Sequence, residues 1–256
     1  MKNYFFLMTF LFVGCNTLSK DGKTQETESI FGNSKSPVVT TTYIFVDITG
    51  EDSTKDVLTE TQIDEIMESM GMTKGGSAFN GGTVKIMLIN DISMNKSVTM
   101  ELPKGNSNFG NGETAQSRAL KIRKFKEEIS KKSKQFLTGL VSGKDESEIY
   151  RNLCKQLKIL KDDKVDKKNI IIFSDMLENS PIFSLYGKAT NYDSTIEKAN
   201  KECSFPTMEE INLYVVPPVN IKNKNLVNNA EKFWTKLFES KNVKKFNGFN
   251  VDLTME

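Results

Sequence analysis

Two strand-like apolar runs in this chain end in aspartate. The stretch "TTYIFVDITGEDS" (41–53) carries hydrophobic residues up to Asp47 and follows it with Thr49, Glu51, Asp52 and Ser53. In "KKNIIIFSD" (167–175), Ile170, Ile171, Ile172 and Phe173 lead straight to Ser174 and Asp175. Carboxylate and hydroxyl oxygens gathered at a strand tip are the hard donors preferred by Mg²⁺, Mn²⁺ or Ca²⁺, so a cation site is one chemistry open to them. A solvated turn is the other, for which Gly50 and the Asp52–Ser53 pair are ordinary turn and cap residues.

Composition narrows the alternatives. There is no histidine in the 256 residues, which removes imidazole acid–base catalysis, Ser-His-Asp triads and most catalytic zinc sites. Lys and Arg number 35 against 33 Asp and Glu, for a net charge of +2. Lysines alternate with acids as on a solvated helix face, so no nucleic-acid partner is expected. Beyond Cys15, the cysteines are Cys154 and Cys203. In an oxidising compartment they can pair; otherwise they are two buried thiols, and sequence spacing does not fix the distance between them.

The elements that must position the aspartates follow from periodicity. Strands are expected over 38–47, 83–91, 97–103, 167–175 and 211–218, with a last one within 243–253; the strand over 97–103 alternates like an edge strand. Ile63, Ile66, Met67 and Met70 mark a helix between a Thr59 or Thr61 cap and Gly71. A longer helix over about 113–139 places Leu120, Ile122, Phe125, Ile129, Phe136 and Leu137 on its inner side. Further helices are expected over 146–161, over 191–203 and along Leu226, Ala230, Phe233 and Leu237, with Trp234 in the core. Glu178, just after Asp175, is open to assisting a cation, but a loop glutamate reads first as solvated. Strands separated by helices imply an α/β fold: a mostly parallel central sheet flanked by helices on both faces, with one antiparallel edge strand. Sites in such sheets lie beyond the carboxyl ends of the strands, so Asp47 and Asp175 are expected on one rim.

The start of the chain reads differently. In "MKNYFFLMTFLFVGC", Lys2 precedes an apolar run from Tyr4 to Val13. That run is shorter than the roughly 20 residues a membrane-spanning helix needs. Phe12-Val13-Gly14-Cys15 resembles the lipobox of bacterial lipoprotein precursors. The resemblance implies a signal peptide over 1–14, acylation of Cys15 (palmitate-type chains on a diacylglycerol), and a lipid anchor in a membrane of the bacterial cell envelope, with the domain periplasmic or surface-exposed. Residues 15–37, rich in Ser, Thr, Lys and Glu, then form a flexible tether, and 38–256 the domain.

The order of the acidic motifs resembles the von Willebrand factor A family. That family binds a divalent ion at a metal-ion-dependent adhesion site made from Asp-x-Ser-x-Ser after the first strand, a Thr opening a helix, and an Asp after a later strand. The resemblance places Asp47, Thr49 and Glu51 in the first loop, Ser147 of "SEIYRNL" in the second and Asp175 in the third. It implies direct ligation by Thr49 and Ser147, with Asp47 and Asp175 acting through water and by orienting those hydroxyls. Glu51 departs from the pattern: a carboxylate replaces a serine, and either binds the ion itself or points to solvent. The expected function is a membrane-anchored binding module, not an enzyme, that engages an unspecified protein partner or organises an envelope complex through a degenerate Mg²⁺ site. One alternative is a metal-free structural scaffold. Another is a phosphatase, since "YIFVDITGE" resembles the opening of haloacid-dehalogenase-like enzymes. Against it, Thr49 stands where that family has a second Asp, and "LKDDK" precedes its strand rather than following it.

Overall fold

A computed structural model describes residues 36–48, 57–73, 77–89, 96–106, 112–138, 147–187, 191–219 and 224–255. Cys15, Thr49, Glu51, the signal segment and the tether as far as residue 35 lie outside the described residues.

The sheet is built outward from β1 (Val39–Val46), whose residues are buried from Thr40 onward. Parallel to it run β2 (Gly81–Leu88) on one side and β4 (Lys167–Phe173) on the other. Beyond β4 come β5 (Ile211–Val216) and the short β6 (Lys245–Asn247), both parallel. On the far side β3 (Ser97–Leu102) closes the edge antiparallel to β2. The six strands lie in the order β3-β2-β1-β4-β5-β6. The chain moves outward from β1, then returns to β4 on the opposite side, so the switch point of the topology lies between β1 and β4. Only Lys245–Asn247 of the expected last strand pairs with β5; the tail after it is held by the Asn250 amide, 3.2 Å from the Val215 carbonyl.

Side chains alternate strictly across this sheet, as a pleated strand requires. Tyr43, Phe45, Ile170, Ile172, Leu213 and Val215 enter one core, whereas Ile44, Val46, Ile171, Phe173, Tyr214 and Val216 enter the other. The first core is covered by α3 (Ile149–Lys161), α4 (Tyr192–Glu202) and α5 (Lys224–Glu239). The second is covered by α1 (Glu60–Ser69) and α2 (Ala115–Thr138).

Local chemistry explains the helix limits. Thr59 caps α1 in a reciprocal box: its hydroxyl accepts from the Gln62 amide at 3.4 Å, and the Gln62 side chain accepts from the Thr59 amide at 2.9 Å. Gly71 ends the helix with φ at 65°, a left-handed turn that glycine adopts without strain. On α2 the buried line is Arg118, Phe125, Ile129 and Ser133. Leu120, expected inside, is instead 42% exposed. Two residues past Arg118 it has rotated about 200° around the helix, onto the outer face. Arg118 anchors α2 by donating to the carbonyls of Ala78 and Asn80 and pairing with Glu113.

Candidate functional site

Strand register brings the two acidic tips together. Val46 lies opposite Phe173, and the ladder continues one step further, where the Asp47 amide donates to the Phe173 carbonyl at 2.9 Å. Asp47 and Ser174 thus extend adjacent strands on the same side of the pleat. The Ser174 hydroxyl donates to Asp47 Oδ2 at 2.8 Å and accepts the Met176 amide, also at 2.8 Å. Asp175 Oδ1 takes the Leu177 amide at 3.0 Å. Between them Met176 is forced to φ 58°, a left-handed conformation that costs a non-glycine residue on the order of 1–2 kcal/mol. Its carbonyl is held by Trp234 Nε1 at 2.8 Å. The strand therefore ends in a tight turn braced from β1 on one side and from α5 on the other.

The electrostatics match this geometry. Burial pushes the Asp175 carboxyl up to about 6, the Leu177 amide opposes that, and the Asp47 charge raises it further. The phenol of Tyr186, half exposed, is raised by burial and then by both Asp175 and Asp47. An exposed aromatic ring thus stands within the field of the acidic pair.

Ser147 joins the same loop by another route. It forms an isolated antiparallel bridge with Asn179, whose amide donates to the Ser147 carbonyl at 3.0 Å. Of the five residues expected at the ion site, the structure places Asp47 and Asp175 at the switch point and Ser147 against the loop that follows Asp175. Thr49 and Glu51 lie outside the described residues. Sequence reasoning passed over Ser174 and Tyr186, and it placed Trp234 in the core without its link to the loop after β4. Only Ser174 carried a signal, as the hydroxyl between a strand end and an aspartate.

The expectation for Glu178 is overturned. It is fully buried, and its carboxylate accepts the Tyr150 amide at 2.7 Å, with the Ile149 amide also directed toward it. Burial pushes it up to about 7, against the pull of the Ser180 hydroxyl and these two amides, while Glu148 adds repulsion. A three-residue offset from Asp175 turns it back beneath the loop toward α3, where it is shut off from water. Nearby, Cys154 and Cys203 form a disulfide with Cα atoms 6.3 Å apart, fastening α3 to the end of α4. Tyr150, one helical turn before Cys154, reinforces that seam by donating to the Cys203 carbonyl at 3.0 Å.

Among the described residues no three His, Cys, Asp or Glu side chains converge on one point. A carboxylate-only cage is therefore not formed there. What the rim offers is two neighbouring carboxylates that repel one another, with the Ser174 hydroxyl bonded to one of them. That donor set fits a hard divalent cation, which would relieve the repulsion and take its remaining ligands from hydroxyls and water.

The strand order and the reversed edge strand define a doubly wound α/β domain of the Rossmann-like type, the class that includes von Willebrand factor A folds. No protein-family model matches the chain, and no curated protein matches it in sequence. Among solved structures it overlaps with the manganese-loaded TRAP protein of Plasmodium vivax at 14% identity and a TM-score of 0.33, over 75% of this chain and 62% of that one. It also overlaps with the human COPII-coat protein Sec24c at 10% identity and a TM-score of 0.32, over 79% of this chain and 28% of that one. The chain thus spans less than two thirds of either. These likenesses are loose, and the fold class rests on the strand order and register given above.

Proposed function

We propose that this chain is an extracytoplasmic binding module of the von Willebrand A type, which engages a protein partner at the carboxyl rim of its sheet. In this reading Asp47, Thr49, Glu51, Ser147 and Asp175 would together hold a divalent cation, which would supply an electrophilic point for a partner's carboxylate. Cys15 carries the lipid that tethers the module to an envelope membrane. The observation that carries the reading is the convergence of Asp47 and Asp175 at the topological switch point, where α/β sheets place their ligands. The Cys154–Cys203 disulfide supports folding in an oxidising compartment.

Titration with Mn²⁺, followed by electron paramagnetic resonance, tests the ion. We expect saturable uptake by the wild-type chain, with Asp47→Asn weakening it at least about tenfold while the domain stays folded. Unchanged affinity in Asp47→Asn rejects the site. A metal-free scaffold is the second reading, favoured by the Ser174 hydroxyl that already satisfies one Asp47 oxygen; absence of Mn²⁺ uptake selects it. Turnover of a phosphate ester by the purified chain would remove the binding-module reading. Incorporation of labelled palmitate that disappears in Cys15→Ser tests the anchor.

A further inference from the structure

Glu178 joins two pieces of the rim from beneath. It lies in the loop leaving β4, three residues after Asp175, and is 0% exposed. Its carboxylate accepts the Tyr150 amide at 2.7 Å, and the Ile149 amide is also directed toward it. These are the first amides of α3, a helix without a cap of its own, since Glu148 at the N-cap position makes no side-chain hydrogen bond to it. A helix terminus that is buried must find acceptors for its free N–H groups. Here a carboxylate from a different element supplies them, at the end of the helix where a negative charge is favoured. One residue on, Asn179 donates to the Ser147 carbonyl at 3.0 Å. On the other side the Glu178 carbonyl accepts the Leu185 amide at 2.9 Å, and Asn179 also bridges Ser184. The loop is thus tied to its own return and to the start of α3 at a single point. A leucine would fill the same volume but leave the α3 amides without an acceptor.

From these contacts we infer that Glu178 is a positioning residue: it clamps the first turn of α3 to the loop after β4 and so sets where Ser147 stands relative to Asp175. The inference deepens the ion-site reading and rests on it for its affinity arm only.

The test uses the full chain and two readouts. The first, without ion, is hydrogen exchange at the Ile149, Tyr150 and Asn179 amides. Glu178→Ala should speed exchange at all three at least about tenfold beyond Leu160→Ala, a cavity variant at the far end of α3 that lowers stability without touching the junction. Glu178→Gln keeps an acceptor oxygen and should restore protection to within about threefold of wild type. Glu178→Asp, one methylene shorter, makes the same comparison should the alanine variant fail to fold. The second readout is Mn²⁺ affinity, which should fall at least about tenfold in Glu178→Ala, recover in Glu178→Gln and stay unchanged in Leu160→Ala. Exchange in Glu178→Ala no faster than in Leu160→Ala overturns the inference, as does an affinity loss that Leu160→Ala shares. If the wild-type chain takes up no Mn²⁺, the ion-site reading falls and the exchange readout alone decides the clamp.

Discussion

On one face of the sheet, α3, α5 and the loops beside them meet through aromatic rings: Tyr150, Phe183, Phe205, Phe233, Trp234 and Phe238 stack and cross at centroid distances of 4.9–6.4 Å. That face also holds the disulfide and the buried Glu178. On the other, α1 and α2 pack through Ile63, Ile66, Met67, Met70, Phe125 and Ile129, with exposed ion pairs such as Lys126–Asp64 between the helices. Rings and a covalent bond permit few arrangements, whereas unbranched methionines adapt. Besides its link to β1, the turn bearing Asp175 is braced from the stiff face, through Trp234 and Glu178. The difference teaches that the fold spends its rigid, costly contacts where the rim must be held.

Breaking that contrast should cost most at the disulfide. Replacing both cysteines with serine reopens a loop of 49 residues and should remove about 4 kcal/mol of stability, read by urea unfolding. Reductant should weaken the wild-type chain to the same degree and leave the double variant unaffected.

Acidity is the next lever. Glu178 and Asp175 are raised from usual values of 4.5 and 3.8 to about 7 and about 6. In the folded state they hold protons that the unfolded chain has lost, so their contribution is fully present below about pH 4 and disappears as pH rises through 6 and then 7. Stability should therefore increase on acidification from pH 8 to pH 5, with Glu178 alone supplying about 3 kcal/mol. Glu178→Gln should abolish the upper half of that slope; an unchanged slope assigns it elsewhere.

Trp234→Phe sharpens the comparison by keeping a ring and deleting one donor. The loss should be about 1 kcal/mol, because the Met176 carbonyl loses the shorter of its two hydrogen bonds and keeps the Glu178 amide at 3.1 Å. Lys126→Ala on the opposite face, by contrast, should change the unfolding midpoint little, by less than about 1 kcal/mol, since exposed ion pairs are screened by water.

Much of this architecture was legible in the residues themselves. Four consecutive apolar residues marked β4, the alternation at 97–103 marked the edge, and Thr59 and Gly71 framed α1, because each of these signals is local. Asp47 and Asp175 were placed on one rim by topology rather than by neighbourhood. Arg118 and Glu178 escaped, because a charged residue in a sequence looks solvated until the backbone carbonyls or amides that enclose it arrive from elsewhere. Leu120 misled for the related reason that α2 turns a narrow line inward, set by Arg118 and Phe125. Nor did any spacing state how close Cys154 and Cys203 would come.

The chain contains a single tryptophan, and its indole N–H is bonded to the carbonyl next to Asp175. Nature has thereby installed an optical gauge at the root of the acidic turn. Ultraviolet emission from the unlabelled polypeptide reports on that one backbone bond, and its quenching or colour change can be followed in real time while candidate ligands are added.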